Sequence, residues 1–197
     1  MNLKVILLTL LLLGGSLSLP LKVNAEPPAL AQTEDAEAAS SLPWQIVSST
    51  AGQYIVELPG MPEEQTSTST LLDQELTWHM SGVTVPAVGE ADLFEYYLVA
   101  YIDIPRSLRY EYSQEELLDA ATATVLNDIQ DDQLSQTLEI EEIAYWGVPA
   151  RLLTGQGLGQ FVVMNLSTTG DRLYLLLAID DDLANFDHFF NSFNFIP

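Results

Sequence analysis

The sequence predicts an α+β domain, a meander of antiparallel strands with two helices packed against it. Three observations predict this class. Apolar and polar residues alternate over short runs separated by turns that contain glycine and proline, the pattern of half-buried strands joined by hairpins. Ser113 and Glu116 stand three residues apart, ahead of Leu118, Ala121, Val125 and Ile129 at helical spacing, which is a capping box opening an amphipathic helix. Near the C-terminus, Leu173, Leu175, Leu177 and Ile179 share one strand face while Tyr174, Leu176 and Ala178 share the other. A strand that is apolar on both faces is covered on both.

Lys4 precedes the apolar run Val5 to Leu13, and small residues Val23 and Ala25 follow at the spacing of a cleavage site. Residues 1–25 are therefore expected to be a signal peptide for export, to the periplasm or the thylakoid lumen. The apolar run is short for a membrane span, and cleavage would leave 172 of the 197 residues. Residues 26–42 are rich in Ala, Pro, Glu and Ser and read as a disordered linker. Residues 43–197 form one domain, long enough to bury roughly 70% of its unfolded surface.

Within the domain, Trp44 to Ser49 is a short strand, and Ala51-Gly52-Gln53 turns into a second one carrying Tyr54, Val56 and Leu58. The polar, Thr- and Ser-rich run Glu64 to Thr70 offers no apolar face. Leu72, Leu76, Trp78 and Met80 then mark a one-faced strand, and Ser81 to Asp92 reads as a loop because it holds two glycines and Pro86. Phe94 to Ile104 alternates strongly and is closed by Pro105. After the capped helix, which is expected to end near Gln130, four strands follow. The first carries a bulge at Glu142-Ile143, Trp146-Gly147-Val148-Pro149 turns into the second, and Gly155-Gln156-Gly157 turns into the third. The last strand runs into Asp180-Asp181-Asp182 and a helix with Leu183, Phe186, Phe190 and Phe193 in one stripe.

Charge is the strongest compositional signal. All 28 acidic residues follow Ala25, against the four arginines Arg106, Arg109, Arg151 and Arg172, a net charge of −24 for the processed chain. Such a surface repels phosphate backbones and anionic lipid, which argues against nucleic-acid binding; solubility alone is the simplest reading of the charge, and a basic protein partner or a cation is the alternative. No second apolar stretch is long enough for stable membrane insertion. Cys is absent, which excludes thiolate metal sites, a cysteine nucleophile and redox dithiols.

Few residues suggest chemistry. His79 and His188 are the only histidines and both lie on polar faces; they are the only imidazole bases for a dispersed hydrolase site. No nucleophile-elbow, HExxH or phosphate-loop signature is present, and Gly155-Gln156-Gly157-Leu158-Gly159 lacks the lysine and helix of the last. Asp180, Asp181 and Asp182 have two readings: a weak calcium site, since clustered carboxylates suit a hard cation, or a helix N-terminus in which Asp181 or Asp182 accepts backbone amides. Arg151 and Arg172 read as structural Arg–carboxylate pairs or an anion pocket. Tyr96, Tyr97, Tyr101, Tyr110 and Tyr112 read as sheet packing or a binding surface. No catalytic residue and no resident cofactor are expected.

The segments GQYIVELPGMP, YYLVAYIDIP, WGVPARLL, RLYLLL and FFNSF occur in this order from Trp44 onward. This series resembles the small exported PsbP-like proteins of cyanobacteria. The resemblance implies an α/β/α sandwich around an antiparallel sheet. It also implies a non-enzymatic accessory role, in some relatives on the lumenal side of photosystem II. Contacts that basic residues make in that family have no counterpart in so acidic a chain, and no site residue is carried over. The expected function is that of an exported, soluble, strongly acidic interaction or assembly-accessory protein. A dispersed hydrolase and a weak divalent-cation binder are the alternatives.

Overall fold

The strand that is apolar on both faces lies in the middle of the molecule. The computed structural model describes residues 43–86, 94–131, 138–157 and 160–196; the signal peptide and linker expected over 1–42 lie outside them. Ten strands and three helices are described: β1 (Gln45–Ser49), β2 (Tyr54–Leu58), β3 (Glu63–Leu71), β4 (Gln74–Pro86), β5 (Phe94–Asp103), α1 (Arg106–Glu111), α2 (Gln114–Asp131), β6 (Glu139–Tyr145), β7 (Val148–Gly157), β8 (Gln160–Thr168), β9 (Arg172–Asp180), α3 (Leu183–Ser192) and β10 (Asn194–Phe195). Seven strands form an antiparallel sheet in the order β3-β4-β5-β9-β8-β7-β6, so β9 is the fourth of seven. Two meanders, β3-β4-β5 and β6-β7-β8-β9, are joined where β5 pairs with β9.

Each face of β9 faces its own core. Leu173, Leu175, Leu177 and Ile179 pack with Leu108 of α1 and with Leu117, Leu118, Ala121 and Val125 of α2. Tyr174, Leu176 and Ala178 pack with Tyr54, Val56 and Leu58 of β2 and with Phe186 and Phe189 of α3. The second face is roofed by a three-stranded sheet, β1-β2-β10, beside α3. Removing a leucine side chain from water contributes about 2 kcal/mol, and both faces of β9 gain it.

The α/β/α sandwich with two main helices is thus overturned. The described chain is mostly strand, one outer layer contains a sheet, and the helices number three because Arg106–Glu111 is a short helix of its own. The reasons are local. β3 lies at a sheet edge, where mainly Ser67 and Leu71 are buried, so its Thr and Ser residues carry no apolar alternation. β4 continues to Pro86, with Val83 and Val85 buried in the second core. Gly82 is a point of close approach and not a turn: a Cβ there would lie 2.9 Å from the Tyr96 hydroxyl. Leu72 and Asp73 have φ of 49° and 63° and make the β3–β4 hairpin turn. The register from Glu139↔Thr154 to Tyr145↔Val148 is unbroken, so no bulge occurs at Glu142-Ile143. Gly155, Gln156 and Gly157 are ladder residues of β7, paired with Val162, Phe161 and Gln160.

Other local signals hold. The Glu116 amide donates to Ser113 Oγ at 3.3 Å and the Ser113 amide to Glu116 Oε2 at 2.7 Å, the reciprocal bonds of a capping box. These bonds from Ser113 hold the Glu116 carboxyl below its usual pKa. Arg151 reaches from β7 to Glu115 (2.6 Å) and Asp119 (2.9 Å) of α2, and Arg172 Nε reaches Asp103 Oδ1 across the β9–β5 pair at 2.7 Å. Both are structural ion pairs. Among the described residues no helix is long and apolar enough to cross a membrane.

Candidate functional site

The acidic triplet divides into three roles. Asp180 is the last residue of β9 and is fully buried, at 0% exposure. It is tolerated there because three donors satisfy it: the Asp182 amide (2.8 Å), Asn185 Nδ2 (2.9 Å) and the Tyr97 hydroxyl. A buried carboxylate needs such donors when no cation is beside it. Burial and the bond to Asp180 push the Tyr97 hydroxyl far up, so Tyr97 remains the donor. Asp182 is the N-cap of α3, its Oδ1 accepting from the Ala184 amide at 2.9 Å. Asp181 is exposed.

The structure brings Asp181 and Asp180 together with Glu95 of β5, a residue that sequence reasoning missed. One carboxylate oxygen from each of the three lies within 4.8 Å of the others. The signal was the β5–β9 register: Tyr96 pairs with Ile179, which sets Glu95 beside the end of β9. Partial burial, and then repulsion by Asp180, Asp181 and Asp182, raises the Glu95 carboxyl to about 7. Asp182 belongs to the helix cap and lies outside this convergence. A hard cation could take an oxygen from each of the three carboxylates, although Asp180 already accepts three hydrogen bonds.

The two histidines are held separately. His79 is half-buried on β4 and stacks on Tyr101, with ring centroids 4.9 Å apart. His188 on α3 meets Glu57 at 2.8 Å and Trp44 at 4.3 Å between centroids. Neither bonds a hydroxyl among the described residues, so no Ser–His pair is formed. The tyrosines divide as well: Tyr96, Tyr97 and Tyr101 are buried, whereas Tyr110 is 78% exposed.

A second surface feature lies at the sheet edge. Glu139, Ile140, Glu141 and Glu142 of β6 are all exposed, and among the described residues β6 is paired on one side only, with β7. Glu142 lies 3.6 Å from Arg151, while Glu139 and Glu141 make no ion pair among the described residues. The strand ends in a two-residue hairpin turn whose central residues, Trp146 and Gly147, have φ of 50° and 82°. That geometry suits Asn-Gly; a bulky side chain in it is an outlier costing about 1 kcal/mol. Trp146 is nonetheless 52% exposed. The preceding Tyr145 hydroxyl donates to the Phe190 carbonyl of α3, which fixes the base of the hairpin. At the opposite edge, Glu64 of β3 is tied down by Ser81, and the Ser69 hydroxyl accepts from the Trp78 indole.

No family model matches the chain, and no curated protein matches it.

The Glu95 cluster has a pH signature. The folded pKa of about 7 lies above the ordinary 4.5, so between these values the folded chain keeps a proton that the unfolded chain has released. This contribution to stability is present below pH 4.5 and is lost as pH rises through 7. Solvent screening at a partly exposed carboxyl reduces it to about 1 kcal/mol. Glu95→Gln is expected to melt about 2–4 °C above the native chain at pH 8 and level with it at pH 4.5, by circular dichroism. Equal melting at both pH values would contradict the assignment.

Proposed function

We propose that the protein is an exported, non-catalytic interaction module that accepts a basic partner along β6, with Trp146 as the apolar anchor. The observation that carries this reading is the edge itself: a strand whose outer side has no partner strand among the described residues, with three exposed glutamates, ending in an exposed tryptophan held in a costly backbone conformation. An edge strand offers main-chain hydrogen bonds to an added strand. Its glutamates select lysine- and arginine-bearing segments and repel anionic ones. A large aromatic at the end of such a surface is the usual source of binding energy. The cellular setting we propose is assembly of a larger complex in the periplasm or the thylakoid lumen. Photosystem association, which rests on the PsbP-like resemblance, belongs to the same proposal.

Trp146→Asn separates fold from function. Asn relieves the left-handed strain, so the variant is expected to be more stable by up to about 1 kcal/mol. It should also lose the partner that the native chain retains from an extract of the exported compartment at low salt. Glu139→Lys with Glu141→Lys should lose the same partner. Equal retention by all three chains, or a partner that native protein never retains, would sink the proposal.

The convergence of Glu95, Asp180 and Asp181 favours a second reading, a weak divalent-cation site. A cation there relieves the repulsion among the ionised carboxylates. Calcium at millimolar concentration and pH 8 should raise the melting temperature of the native chain and leave Glu95→Gln unchanged. A native melting temperature indifferent to calcium would end this reading.

A further inference from the structure

Among the described residues, two of the four arginines are held in ion pairs and two are not. Arg151 is held by Glu115, Asp119 and Glu142, and Arg172 by Asp103 and the Tyr101 ring. Arg106 and Arg109, on the exposed side of α1, make no ion pair among the described residues. In a chain with 28 carboxylates, an ion pair is the expected state of a guanidinium. Among the described residues the Arg106 guanidinium meets Tyr110, with Nη2 3.4 Å from its hydroxyl and the guanidinium carbon 5.6 Å from its ring centre.

These three residues border an open surface depression of about 470 Å³. Residues three and four apart share a helix face, so Arg106 stands beside both Arg109 and Tyr110. The face is held in place from below. Leu108 is a buried plug in the first core, the Ile104 amide donates to the Asp171 carbonyl, and Ser107 is hydrogen-bonded to Gln74. The cations are therefore presented on an anchored turn.

We infer that Arg106, Arg109 and Tyr110 form a binding site for a small organic oxyanion, a carboxylate or phosphate carried on a flat apolar body. The planar fork of arginine matches two oxygens of such a group. The exposed Tyr110 ring supplies a face for the body of the ligand. The site is independent of β6, and it selects the opposite charge from the one that β6 selects.

The test is titration of the full chain at low salt, followed by amide shifts in NMR, with inorganic phosphate, benzoate and chloride as separate probes. Saturable shifts at Arg106, Arg109 and Tyr110 with phosphate or benzoate, and none with chloride, are expected. Phosphate alone would identify the oxyanion as the recognised part; tighter binding of benzoate would add the ring. Arg109→Gln should weaken the binding at least tenfold, and Tyr110→Ala should weaken benzoate more than phosphate. Both residues are exposed, so the melting temperatures of these variants should match the native value. Shifts that never saturate, or that persist unchanged in Arg106→Gln and Arg109→Gln, would overturn the site.

Discussion

The rest of the structure depends on the double burial of β9. Its two apolar faces cannot be covered by one layer. α1 and α2 cover the face with Leu173, Leu175, Leu177 and Ile179, while β2 and α3 cover the face with Tyr174, Leu176 and Ala178. Because β9 also pairs with β5 on one side and β8 on the other, it joins the two meanders into one sheet. The chain leaves this strand through Asp180, whose buried carboxylate binds the Tyr97 hydroxyl of β5 and the first turn of α3 together. The acidic end of β9 is therefore first a junction. Its nearness to Glu95 follows from the β5–β9 register and is a consequence of the fold.

Charge is distributed unevenly between structure and surface. Arg151 and Arg172 are spent on ties between elements, α2 to β7 and β9 to β5. Most carboxylates face solvent. At an unpaired edge, charge has a defensive role, since it discourages pairing with other copies of the chain. The same charge admits a strand of opposite sign. The glutamates of β6 that discourage pairing with other copies are the same ones that the proposed reading assigns to a basic partner. Trp146 is harder to explain by defence alone, because an exposed aromatic in a left-handed turn works against both solubility and stability.

Features that rest on near neighbours in the sequence were legible. The capping box of Ser113 and Glu116, the cap at Asp182 and the alternation of β5 and β9 each follow from residues a few positions apart. Edges were not legible. An edge strand buries little, so β3 shows a polar, Thr- and Ser-rich run, and β6, exposed at four successive residues, looked irregular while its ladder is regular. Glycine and proline misled at Gly82 and Pro86, where the strand continues because a neighbouring Tyr96 needs the space of a Cβ. The second sheet depends on β10 returning to pair with β2, a contact between the two ends of the domain that no local pattern announces. Glu95 was missed for the same reason: its acidic neighbours lie across a strand pairing.

The account's central claim is that β6 is the face that receives a partner. Amide hydrogen exchange tests it most directly, with the full chain and an extended peptide that alternates lysine with threonine, at low salt. The account predicts added protection confined to 139–145 and the Trp146 turn, with the opposite edge β3 unchanged. Protection that falls equally on both edges, or on neither, would contradict it.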